Sequence, residues 1–183
     1  RVFTPDSAAA ADLHGLGAGE VSKAVSLRAD SSGSLKFGDK PSTALLDHAS
    51  LPTGHRITGA KVVSVTRHGA LAEAKVRYTV GGQERTDTLL LRRHGSRAGI
   101  FHGWQVVGGE NSLDVDVPGV DDVLVNGVTV HLTDGRATLT ALPGTYDVTL
   151  ASSTFLTLEG EPAAVSLYSS TSFQGQLTLS DDA

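Results

Sequence analysis

The chain of 183 residues contains no cysteine and no methionine, and it has a single tryptophan. Without thiols there is no disulfide, no thiolate nucleophile and no cysteine-based zinc site, so the rigidity of the fold must come from packing. A thiol-free chain suits an oxidising or a reducing compartment equally well. Aromatic side chains make up only 5% of the sequence and the net charge is -5. Both features speak against a nucleic-acid partner, which needs cationic surface and stacking platforms. No stretch approaches the ~18 consecutive apolar residues of a membrane span, and the N-terminal region lacks the basic, apolar and cleavage parts of a signal peptide. Beginning at Arg1 and lacking methionine, the chain is expected to be a fragment whose targeting segment lies upstream. What is present, 39% hydrophobic and 19% charged residues, is the composition of an ordinary folded protein.

The net charge conceals a split at Gly108-Gly109. Residues 1–109 carry 14 Lys plus Arg against 9 Asp plus Glu, a balance of +5, whereas residues 110–183 carry Arg136 alone against 11 acids, a balance of -10. A shift this abrupt, at a Gly-Gly-Glu-Asn-Ser stretch that no strand favours, predicts a boundary between two domains, 1–109 and 110–183.

The first half opens with Thr4-Pro5-Asp6, a helix cap, a first-turn proline and an acid at the positive end of the helix dipole. Ala9, Leu13 and Leu16 mark one apolar face, and the spacing predicts a helix, broken by Gly15, Gly17 and Gly19, that resumes to about Arg28. Ser42 is read as the cap of a second, short helix through Leu45 and Leu46, which ends before Pro52. Four β-rich runs follow at 57–66, 70–80, 83–93 and 100–107. In the second of them Ala72, Ala74, Val76, Tyr78 and Val80 alternate with charged or polar residues, giving one buried and one wet face. In the second half Asn126-Gly127 is the strongest hairpin signal. Asp134-Gly135 and Pro143-Gly144 mark further turns among short strands spaced as in a sandwich.

The seven histidines show no pair at the spacing that holds a metal from one element, and no metal site or cofactor is expected. Asp114, Asp116, Asp121 and Asp122 near one loop suit calcium, but a solvated acidic edge that discourages aggregation is the preferred reading. Gly15-Leu16-Gly17-Ala18-Gly19-Glu20 lacks the last glycine and the preceding strand of a dinucleotide site, and no serine sits in a Gly-x-Ser-x-Gly elbow. For general acid-base work in a cavity the candidates are Asp47, His48, Tyr78 and His102. Arg77, Arg85, Arg92, Arg93 and Arg97 fall on two adjacent strands and their ends, and are expected to form one patch. Such a patch either attracts an anionic polymer or docks the chain's own acidic half, and the residues leave both readings open.

The order of elements resembles the extracytoplasmic regions of membrane-anchored proteins of high-GC Gram-positive bacteria, in which a cystatin-like cone of the nuclear transport factor family type precedes a small β-sandwich. The matching features of the first half are the Thr4-Pro5 start, the strand ending in Gly81-Gly82, the Leu89-Leu90-Leu91-Arg92-Arg93 strand and Gly103-Trp104-Gln105-Val106-Val107. In the second half Val125-Asn126-Gly127 and Leu142-Pro143-Gly144-Thr145-Tyr146 look like PEGA-type and related Ig-like envelope modules. The implied fold is α+β followed by all-β: N-terminal helices packed on a four-stranded antiparallel sheet, then an antiparallel β-sandwich. The implied role is that of a non-enzymatic interaction or scaffold module outside the membrane, with a cell-wall polymer or an envelope protein as partner. The alternative is a small-molecule-binding or enzymatic domain that uses the cavity of the cone. No catalytic residue is carried across.

Overall fold

The computed structural model describes residues 4–20, 28–29, 42–46, 51–97, 101–108, 111–153 and 155–179. Helix α1 (Pro5–Ala18) starts at a capping box, in which Thr4 Oγ1 accepts from the Ser7 amide at 3.2 Å and Ser7 Oγ accepts from the Thr4 amide at 3.3 Å. Gly19, in the left-handed region at φ 69°, closes it. Pro5, Ala8, Ala9, Asp12, Leu13 and Leu16 recur at three- and four-residue steps and form its buried face. No helix among the described residues is long and apolar enough to cross a membrane.

Strands β1 (Arg28–Ala29), β2 (Thr58–His68), β3 (Leu71–Val80), β4 (Gln83–Arg97) and β5 (Phe101–Val107) form one sheet in the order β1-β5-β4-β3-β2. All its pairings are antiparallel except β1 with β5. The two-residue Gly81-Gly82 turn sets Val80 opposite Gln83, and that register runs unbroken to Leu71 opposite Arg92. One face of β3 therefore presents Ala72, Ala74, Val76, Tyr78 and Val80 to the core, joined by Leu89 and Leu91 of β4 and Val106 of β5. Helix α1 packs on this inner face.

The remaining strands are short: β6 (Asn111–Asp116), β7 (Asp122–Val125), β8 (Val128–His131), β9 (Arg136–Ala141), β10 (Gly144–Tyr146), β11 (Val148–Leu150), β12 (Leu156–Glu159), β13 (Ala163–Val165), β14 (Ser170–Gln174) and β15 (Gln176–Leu179). They make small sheets of two or three strands, β14-β6-β9, β11-β7-β8, β10-β13 and β12-β15. Their inward residues, among them Leu113, Val115, Val123, Val125, Leu139, Tyr146, Val165 and Phe173, join the buried residues of the first half in one continuous cluster.

This architecture corrects the expected fold class. The described residues contain one α-helix rather than helices laid on a sheet, and the chain is predominantly β, so a helix-covered cystatin-like cone is not what forms. Over 42–46 the predicted second helix is a single turn, with the Leu46 amide bonded to the Thr43 carbonyl at 2.7 Å, and 47–50 lie outside the described residues. Ser42 itself bridges to the edge of β9, its amide to the Thr138 carbonyl and its carbonyl to the Thr140 amide, each at 2.9 Å. Two long-range backbone bonds outcompete a helix only a few residues long. The predicted continuation at 21–27 lies outside the described residues. The main sheet has a fifth strand, parallel at its edge, and the second half includes the parallel pair β6-β14, so it is not a purely antiparallel sandwich.

Candidate functional site

Along β2, β3 and β4 the outer face of the sheet is exposed. Because side chains alternate across a strand, the register puts Lys61 opposite Arg77, Lys75 opposite Thr88, Glu73 opposite Leu90, and Arg92 between Leu71 and Gln105 on this face. Leu71 is 55% exposed and Leu90 48%. Four cations (Lys61, Lys75, Arg77, Arg92) stand here against two carboxylates, Glu73 and Glu84. Arg77 is held loosely by Glu84 at 3.8 Å. Among the described residues Arg92 has no hydrogen-bond or ion-pair partner through its side chain. An antiparallel sheet with one face on the core and one in water is common. Here the wet face combines positive charge with exposed aliphatic side chains.

The five arginines singled out in the sequence are not brought into one patch. Arg77 and Arg92 share the outer face, whereas Arg85 lies opposite Tyr78 and Arg93 opposite Trp104, on the other parity. Arg85 bonds Gln83 Oε1 at 2.8 Å. Arg97 pairs with Phe101 beyond a register shift in β4; for Arg97 and His102 the description extends to the backbone alone. Asp47 and His48 lie outside the described residues. Lys61 and Lys75 were not singled out, although strand alternation alone puts Lys75 on the wet face of β3.

Tyr78 is 1% exposed and faces protein. Its hydroxyl donates to Asp87 Oδ2 at 2.5 Å and accepts from the Leu167 amide at 2.8 Å. Burial, reinforced by the Asp87 hydrogen bond, raises its pKa well above the usual 10.0, so the phenol stays protonated at neutral pH. With donor and acceptor both engaged, it works as a bolt between the halves. One residue on, Tyr168 sits at φ 54° and its hydroxyl bridges the Leu90 amide (3.2 Å) and the Val107 carbonyl (3.3 Å). On another side of the seam His55 Nδ1 is 3.2 Å from the Thr145 carbonyl, and its Nε2 is 3.6 Å from Asp147 Oδ2. Tyr78, Tyr168 and His55 thus each join the two halves through their side chains.

The two second-half segments that carried the envelope-module resemblance meet. Asn126, at φ 48° in the turn before Gly127, donates through Nδ2 to the Thr145 carbonyl at 2.9 Å and accepts the Asp147 amide at 2.8 Å. The acidic stretch is largely partnered: Asp114 accepts from Thr138 at 2.7 Å, Asp116 from Arg136 at 3.2 Å, and Asp122 lies 3.1 Å from His131. Among the described residues no three His, Asp or Glu side chains converge as a metal site. In comparisons with family models, curated proteins and solved structures, the chain matches none.

Proposed function

We propose that the chain is a non-enzymatic interaction module of a bacterial cell envelope, displayed outside the membrane, whose open sheet face engages an anionic partner such as a wall polymer. The observation that carries this reading is the outer face of β2-β3-β4, where Lys61, Lys75, Arg77 and Arg92 outnumber the carboxylates and Leu71 and Leu90 stand exposed. Arg92 and Lys75 project from paired strands, so their spacing is set by the sheet, and such a preorganised cationic array suits a repeating anion. The aliphatic side chains between them supply contact area that a purely ionic surface lacks. The envelope setting rests on the sequence resemblance and on the joining of Val125-Asn126-Gly127 to Leu142-Pro143-Gly144-Thr145-Tyr146 through Asn126.

The test is co-sedimentation of the purified chain with isolated wall material, with and without its anionic polymers, across a salt series. Binding should require the polymer and fade as salt shortens the Debye length to ~8 Å near 0.15 M. The Lys75→Glu/Arg92→Glu pair should weaken binding about tenfold or more at low salt. Arg85→Glu/Arg93→Glu, the same charge change on the other parity, should weaken it much less. Equal losses from the two pairs, or binding indifferent to salt or polymer, would remove the proposal.

A further inference from the structure

Helix α1 and strand β2 run side by side in opposite directions, and the seam between them is uneven. At one end Asp6 and Arg67 approach to 3.7 Å and close it. At the other, Gly17 faces the Ile57 carbonyl with room for no more than a methyl group. A recess of about 630 Å³ runs from this Gly17 and Ile57 end toward the middle of the helix, lined by Ala10, Leu13 and His14 of α1 and by Gly59, Ala60 and Lys61 of β2, among others. This volume falls within the ~300–1,000 Å³ of small-ligand sites.

Three features indicate what the recess would hold. Its walls are mostly hydrocarbon, and its side chains that can carry charge are Lys61 and His14, with no carboxylate among them. Lys61 is directly opposite Arg77 in the β2-β3 register, a like-charge pairing that is unfavourable. Glu84 pairs with Arg77, leaving Lys61 without a carboxylate partner among the described residues. Finally, β2 is the sheet edge, and its register shifts between Thr58 and Lys61 and again between Val62 and Ser64. Gly59 there takes φ 61°. Bulges of this kind bend an edge away from strand addition and re-aim side chains, which disfavours an extended peptide beside the recess and leaves a pocket.

We infer that the recess between α1 and the bulged edge of β2 binds an organic anion with an apolar body, of the long-chain carboxylate class, with Lys61 on its head group and Leu13 and the small side chains around its chain. The bound carboxylate also relieves the Lys61 and Arg77 repulsion. Lys61, on the edge strand, is shared with the outer face of the proposed polymer site, whereas Lys75, Arg77 and Arg92 do not line the recess, so the two proposals are tested by different variants.

The test is a titration with dodecanoate below its micelle concentration, followed by backbone amide shifts, alongside dodecanol as the neutral analogue. Saturable one-to-one binding is expected, with the largest shifts at Ala10, His14, Gly17, Ala60 and Lys61 and at least tenfold weaker binding of dodecanol. Ala10→Phe, which fills the recess from an exposed helix position, and Lys61→Glu should each weaken dodecanoate at least tenfold, with retained circular dichroism showing that they fold. If Ala10→Phe fails to fold, Lys61→Glu and Lys61→Gln decide the matter. Equal affinity for the alcohol, unsaturable binding, unchanged affinity in the folded variants, or shifts centred on Ser64–His68 or on Phe155 and Leu179 would each overturn the inference.

Discussion

Replacing Tyr78 by phenylalanine removes one oxygen and breaks two hydrogen bonds, one within the first half and one across the seam. The Leu167 amide would then be a buried donor without its partner, which costs ~1–3 kcal/mol, and Asp87 would lose a bond to a charged acceptor worth ~1.5–3 kcal/mol. Asp87 is only half-buried and recovers part of that from water. The expected net loss is therefore about 2–4 kcal/mol. For a chain of this length, at ~2–4 °C per kcal/mol, that lowers the Tm by roughly 8 °C. The assay is urea unfolding followed both by Trp104 fluorescence and by far-ultraviolet circular dichroism. Since Trp104 packs against a core that continues through both halves, the two transitions should move together. A loss below ~0.5 kcal/mol, or a fluorescence transition that moves while the dichroism stays, would refute the argument that this hydroxyl fastens the halves.

Further outcomes follow from the same geometry. Tyr78 and Tyr146 both have pKa values raised by burial above the usual 10.0. The folded state holds their protons after the unfolded chain has released them, so this contribution to stability is complete below pH 10 and lost as pH rises above it. The unfolding free energy measured in urea should therefore fall as pH rises above about 10, steepening toward a limiting slope of about 1.4 kcal/mol per pH unit for each tyrosine; Tyr146→Phe should flatten it. Gly144→Ala puts a Cβ 2.6 Å from the His55 carbonyl and should cost about 1–3 kcal/mol in urea unfolding. Gly54→Ala, which meets nothing within 4 Å, should stay within about 0.5 kcal/mol of the parent. Asn126→Ala loses both side-chain bonds and the residue's tolerance of positive φ, so a drop of about 2 kcal/mol is expected. Asn126→Gly, which restores the backbone freedom alone, should recover only part of it in thermal melts.

The main sheet was legible because its signals are local. The alternation in β3 and the tight Gly81-Gly82 connection between two apolar runs are enough to set Val80 against Gln83. Counting back from that pair puts Arg77 opposite Thr86 and Tyr78 opposite Arg85. The division of the arginines between two faces was thus contained in the turn length, and the single patch failed because adjacency along strands was read without the register. The helix at Ser42 failed for another reason: a cap residue states where a helix starts, not whether a sheet edge offers the backbone a better partner. Pro143-Gly144 read as a turn, yet Gly144 opens β10 and is a glycine because the His55 carbonyl lies against it. Nothing in a turn signal announces β6 beside β14 or Tyr168 reaching Leu90, since both join residues far apart in the chain. The outer-face lysines were visible by alternation and passed over because guanidinium groups suggested phosphate first.

The parallel pairing of β14 with β6 has a consequence for how the molecule is made. Strand β6 lies at the centre of its sheet, between β9 and β14. Its pairing with β9 closes only the 117–135 segment, which holds β7 and β8, whereas β14 must close a loop holding most of the second half, and longer closures are slower. During synthesis the main sheet, all neighbours in sequence from β2 to β5, can form while that loop is still emerging. Until β14 arrives, one edge of β6 and the inner side of Tyr78 stand open. The chain's most vulnerable interval for aggregation or proteolysis therefore falls late in synthesis, after the first sheet exists and before the 166–169 turn has been delivered to fasten it.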